Sequence, residues 1–91
     1  MTVVAWRAPF ACTVVKVWGY QDTGTGSVVT ALHGAQDLLV SDITLNPAAA
    51  WQDGGTVQNA SFAVGDILYA KIVSVSGTPG MLAIQVDFTE P

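Results

Sequence analysis

Charged side chains make up 11% of this 91-residue chain and leave it a net charge of −4, against about 25% charged in an average soluble domain. The length is that of one domain. Three scattered cations, Arg7, Lys16 and Lys71, exclude the phosphate neutralisation that nucleic-acid binding demands, and the longest uncharged run, residues 72–86, is too interrupted by Gly, Pro and Ser to read as a membrane span.

Taken in chain order, Val, Thr and aromatic residues cluster in short runs punctuated by Gly, Pro, Asn and Asp, which predicts strands throughout. Residues 1–10 read as an N-terminal arm or edge strand (2–6) carrying Trp6, Arg7, Pro9 and Phe10. The domain proper, residues 11–91, opens with a strand over 11–20. With Lys16 facing water, strict alternation sends Thr13, Val15 and Val17 to the core and puts Cys12, Val14, Trp18 and Tyr20 on the outer face. A Gly-rich segment over 21–26 then reads as a hairpin turn, followed by a strand over 27–33 and a turn at 33–37.

The next run, 38–45, reads as a strand broken near Ser41-Asp42. Residues 47–52 predict one short helical turn, capped by Asn46 with Pro47 in its first position; Trp51 lies in it. Strands follow over 56–60, 67–75 and 81–89, with turns at 64–66 and 77–80. In 67–75, an outward Lys71 sends Leu68, Ala70, Ile72 and Ser74 inward and leaves Ile67, Tyr69, Val73 and Val75 outside. In 81–89, Leu82, Ile84, Val86 and Phe88 form the core face, and Met81, Ala83, Gln85 and Asp87 the other. The fold class is all-β: a single antiparallel β-sandwich or jelly roll of about seven or eight short strands.

Two outer strand faces are therefore rich in apolar and aromatic residues, where a lone sandwich would show polar ones. Such a patch points to contact with other protein. Cys12 is the only cysteine and, with His33, the only soft metal ligand, so a disulfide or a four-ligand zinc site is not available to reinforce so small a core. Association with other chains is the remaining route.

The residues for catalysis are not assembled in the sequence. His33, the sole histidine, sits at a strand end before Gly34, and a nucleophile needs a base with a third group to orient it. Asp22, Asp37, Asp42, Asp53, Asp66, Asp87 and Glu90 fall at turns and strand ends, where Asp bonds nearby backbone amides. Asp37 with Asp42, or Asp53 beside Gly54-Gly55, lacks the dense spacing of a calcium loop. Gly24-Thr25-Gly26 lacks the lysine of a phosphate loop. The expectation is a protein without catalytic residues, cofactor or metal. Aromatics remain: Trp6, Trp18 and Trp51 suit protein interfaces and also sugar stacking, with Trp18 and Trp51 the most exposed candidates.

The run Ala8-Pro9-Phe10-Ala11-Cys12-Thr13-Val14-Val15-Lys16-Val17-Trp18 resembles the opening of small β-sandwich domains of tailed-phage virion proteins. The later order is similar to theirs: a Thr-Gly-Thr-Gly loop, Ser27–Leu32, Asp42-Ile43-Thr44-Leu45, Phe62–Leu68, and a hairpin around Gly77-Thr78-Pro79-Gly80 leading into Met81–Val86. That resemblance implies a non-enzymatic virion component made in the host cytoplasm. The compact turn at 47–51 and the lack of a coiled-coil or collagen-like repeat fit a capsid decoration (cement) protein on the outer surface of the phage head. Its implied partners are the major capsid protein, reached by Trp6, Arg7 and Phe10, and copies of itself in a homotrimer, packed through Trp18, Tyr20, Tyr69 and Val73. The alternative implied by the same family is a tail or adhesion module that binds host surface glycan through Trp18 or Trp51.

Overall fold

Nine strands in two antiparallel sheets build the molecule in a computed structural model that describes residues 1–89; Glu90 lies outside them. In chain order these are β1 (Thr2–Arg7), β2 (Cys12–Gln21), β3 (Val28–His33), β4 (Gln36–Asp37), β5 (Ile43–Thr44), β6 (Gln52–Asp53), β7 (Ser61–Phe62), β8 (Ile67–Ser74) and β9 (Leu82–Thr89). The first sheet runs β1-β8-β3-β4, with β5 also paired to β3. The second is organised around β2, which pairs β9 along one side and β7 and β6 in turn along the other. The fold is all-β, and the two sheets pack together as a small sandwich.

The core lies between the sheets and contains Val14, Val17, Val29, Ala31, Leu45 and Leu68, all nearly or fully excluded from water. Alternation holds where the sequence shows it most clearly. Leu68 is buried, Ala70 and Ile72 are half-buried, and Leu82, Ile84 and Val86 pack against the core from β9. Phe88 continues that series but stays 42% exposed at the end of the strand.

Three expectations need correction. In β2 the alternation changes phase: Cys12 and Val14 are buried and Thr13 and Val15 exposed, the reverse of the strict reading. A bulge causes it. The register runs Val14↔Phe88 and then Lys16↔Asp87, so Val15 is an extra residue and the faces exchange there. Beyond it, Val17 is buried and Lys16, Trp18 and Tyr20 face out, as expected.

Second, no helix forms at 47–52. Ala49 has a φ of 58°, and its N–H donates across the loop to the Gln21 carbonyl rather than back along a helix. Third, of the strand expected at 38–45 only β5 and a bridge between Leu39 and Val57 form, and that bridge is all that remains of the strand expected at 56–60. Leu38 and Leu39 are both buried. Adjacent residues cannot both face inward from a regular strand, so the backbone leaves the ladder to bury them.

The segments after β2 and after β8 are not hairpins. Each crosses from one sheet to the other. They meet at one end of the sandwich, where Gly24 and Gly77 bring backbone against backbone, at φ 72° and 73°. Beside them the fully buried Gln21 donates through Nε2 to the carbonyls of Thr23 and Ser76, both at 2.9 Å, and accepts the Ser27 N–H at 3.2 Å. Ser27 Oγ donates to the Ser76 carbonyl and accepts the Ser76 N–H. The turn expected at 33–37 does form, through Gly34-Ala35, and joins β3 and β4 as a hairpin.

Candidate interaction surfaces

The outer face of the second sheet collects the exposed tryptophans. Because the bulge reset its phase, β2 presents Lys16, Trp18 and Tyr20 to the outside. Register places Gln85 of β9 and Asp53 of β6 on either side of Trp18, and Asp87 beside Lys16. The Trp18 indole N–H donates to Asp87 Oδ2 at 2.9 Å, a diagonal cross-strand contact. Gln85 Nε2 donates to Asp87 Oδ1 at 3.0 Å. These two bonds, that from Gln85 first, hold the Asp87 carboxyl below the usual carboxylate range.

Lys16 pairs with Asp53 at 2.8 Å and lies over the Trp18 ring, 4.9 Å from its centroid. Trp51, just before β6, leans on Tyr20 with centroids 5.0 Å apart and remains 47% exposed. Trp18, Trp51, Gln85 and Asp87 enclose a shallow hollow of about 300 Å³.

Tyr69 and Val73 lie elsewhere. They belong to β8, in the first sheet, and face outward on the opposite side of the sandwich. There Val4, Tyr69 and Leu32 form one cross-strand row, and Thr2, Lys71 and Thr30 the next. The Thr30 hydroxyl is buried there without a partner among the described residues. The outward faces of β8 and of the second half of β2 therefore exist, without Cys12 and Val14, which are buried, and as two surfaces back to back. They do not form the contiguous patch expected from the sequence.

The N-terminal aromatics are less available than the sequence suggests. β1 lies at the edge of the first sheet. A bulge between Val4 and Trp6 turns Trp6 inward, onto Phe88 at 5.1 Å and Phe62 at 6.3 Å, and Phe10 packs on Phe88 at 6.1 Å. Arg7 stays exposed, its guanidinium lying against Gly65. Next to this aromatic cluster the sandwich is open. Val3 and Ala70 of the first sheet and Leu82, Ile84 and Val86 of the second line a cleft of about 190 Å³ between β1 and β9. Each of those strands pairs on one side only, β1 with β8 and β9 with β2.

His33 closes the same end. Its ring stacks on Phe62 at 3.8 Å, Nδ1 meets the Asn59 carbonyl and Nε2 meets Asp66 Oδ2, both at 2.8 Å. Both partners are acceptors. The arrangement ties β3 to the loops before β7 and β8, and no Ser, Thr or Cys oxygen or sulfur joins it. Cys12 is buried on the core side, and burial pushes its thiol up, away from the reactive thiolate. No group of three or more His, Cys, Asp or Glu suited to a metal occurs among the described residues.

Four carboxyls carry a pH signature. The Ala63 N–H, then His33, holds Asp66 low; the Met81 N–H holds Asp22 low; Lys16 holds Asp53 low; Asp87 is low as described. Carboxyls depressed in the folded state bind fewer protons than in the unfolded chain, so their stabilisation is present above the ordinary Asp value and lost as pH falls through the folded one. The melting temperature is expected to drop steadily once pH goes below about 4, and Asp66→Asn to flatten that drop. Thermal melts from neutral to acidic pH check it; a melting temperature that rises or stays level on acidification contradicts it.

Gln85, Asp87 and Asp53 were not singled out as site residues by sequence. Alternation had already placed Gln85 and Asp87 outward. What joins Gln85 and Asp87 to Trp18 is pairing between strands nearly seventy residues apart, and Asp53 reaches it through β6; no local pattern reports either. No family model matches the chain, and neither the curated proteins nor the solved structures contain a significant match. No helix of the described residues is long and apolar enough to cross a membrane.

Proposed function

We propose that the protein is a structural component of a tailed-phage particle, a capsid decoration protein on the outer surface of the head. The observation that carries the assembly part is the apolar cleft between two strands that each lack a partner on one side. Free edges beside an apolar lining invite other protein, and folded proteins normally blunt them. β1 is blunted by its bulge; β9 carries none of its own. The phage assignment rests on the order of motifs in the sequence.

In this reading the major capsid protein covers the cleft from the side of β1, and the Val4–Tyr69–Val73 face packs between copies in a homotrimer. The role is thermodynamic rather than catalytic. A protein that binds only the assembled shell stabilises it by mass action, and many copies bridging neighbouring subunits multiply the effect. Capsid shells stripped of the protein should regain heat resistance when it is added back, with binding that saturates. Val3→Asp, which puts a charge at the half-exposed cleft rim, should lose that adsorption while the free protein still melts cooperatively. A protein that remains monomeric in light scattering and leaves stripped shells bare overturns the reading.

A further inference from the structure

We propose that the hollow on the outer face of the second sheet binds a neutral pyranose sugar, with Trp51 as the stacking platform and Gln85 and Asp87 as the hydrogen-bonding rim. This does not depend on the decoration reading. Trp18 and Trp51 divide the work by their surroundings. Trp18 has Lys16 over its ring and its N–H committed to Asp87, so it serves as a wall. Trp51 is braced by Tyr20 at an interplanar angle of 39° and keeps 47% of its surface in water. An exposed indole held in place by a second aromatic ring loses little freedom when it binds a ligand.

The chemistry of the rim selects the ligand. The face of an aromatic ring is electron-rich, and a pyranose with equatorial hydroxyls offers it a flat patch of polarised C–H groups. Around that patch the sugar carries hydroxyl donors. The rim is composed of acceptors: each Asp87 oxygen takes one bond from within the chain, and an ionised carboxylate has about four lone-pair sites. The Gln85 carbonyl oxygen accepts from no group among the described residues.

A proline-rich peptide would also stack on aromatic rings, but it brings mainly carbonyl acceptors to a rim already made of acceptors. Charge decides the remaining choice. Lys16 is paired with Asp53 at 2.8 Å, so Asp87 leaves the hollow net negative. Sialic and uronic acids would meet repulsion there; neutral hexoses would not.

The test uses the full chain, with intrinsic tryptophan fluorescence and indole N–H chemical shifts as readouts. Methyl β-glucoside, methyl β-galactoside, lactose and cellobiose are titrated beside glucuronic acid, sialic acid and a proline-rich peptide. At least one neutral sugar should shift the Trp51 indole signal saturably, and the two acids should not. Trp51→Ala should weaken binding about tenfold or more, Gln85→Ala should weaken it less, and Trp51→Phe should keep part of it. Val64→Ser, at an exposed loop position outside the hollow, should leave binding unchanged. Trp51 is largely exposed, so unchanged melting of the variants separates lost binding from lost fold. The proposal is overturned if no neutral sugar moves the Trp51 signal, if Trp51→Ala binds as the parent does, or if only the acids or the peptide bind.

Discussion

Gln21→Leu is expected to remove about 2–4 kcal/mol of stability, although leucine nearly matches glutamine in volume and the site is buried. The reason is what the amide holds together. Its Nε2 serves the carbonyls of Thr23 and Ser76, and its Oε1 serves the Ser27 N–H. Leucine would orphan the buried Ser27 N–H and take its partner from the Thr23 carbonyl, while the Ser76 carbonyl keeps the Ser27 hydroxyl; a buried orphan costs about 1–3 kcal/mol. A chain of this length has about 5–14 kcal/mol in all, so the variant should stand close to its unfolding threshold. Ser27→Ala provides the comparison. It removes the hydroxyl link to Ser76 but leaves the Gln21 bonds in place, and should cost about 1 kcal/mol. Denaturant titration of both variants checks the pair; a Gln21→Leu loss no greater than that of Ser27→Ala would show that the amide is not the hub.

Gly24→Ala should be the most damaging of the glycine substitutions, and Gly55→Ala its control. Both glycines sit at positive φ, 72° and 79°, where a side chain costs about 1–2 kcal/mol. At Gly55 nothing lies within 4 Å of an added Cβ. At Gly24 the methyl would fall 1.9 Å from the Gly77 carbonyl oxygen. That atom is backbone, so the two crossing segments would have to part. Overpacking of this kind adds about 1–3 kcal/mol. The melting temperature of Gly24→Ala should therefore fall well below that of Gly55→Ala, by roughly 4–8 °C for each additional kcal/mol. Equal melting temperatures would mean that the segments are not in contact.

The sequence made the architecture readable because much of it depends on a period of two. The inward faces of β8 and β9 follow from Lys71 and from the Leu82–Val86 alternation; that of β9 holds, and that of β8 holds through Ile72, whereas Ser74, expected inward, is exposed beyond the irregularity at Val73. What escaped were departures from that period. The bulge at Val15 adds one residue whose side chain looks like any other valine, yet it exchanges the faces of half of β2. Asn46-Pro47 resembles a helix start, but the Ala49 N–H bonds the Gln21 carbonyl twenty-eight residues earlier. The interaction surfaces divided along the same line. Trp18 and Trp51 were legible as exposed aromatics, whereas the split of Tyr69 and Val73 from Trp18 and Tyr20 depends on which strands share a sheet. The inward turn of Trp6 depends on a second bulge, at Ala5.

The pairing of β2 with β9 also sets an order of events. Thr13 meets Thr89 and Gln21 meets Leu82, so the central strand of the second sheet waits for β9 to be synthesised. Contacts that distant in sequence slow folding, and during translation β2 keeps one side open for as long as β9 is still inside the ribosome. Such a chain depends on reaching β9 before it meets a neighbour in the same state. The hollow of Trp18 and Asp87 draws its two sides from β2 and β9, so it does not exist on the nascent chain at all. A ligand bound there would register that β9 has docked on β2.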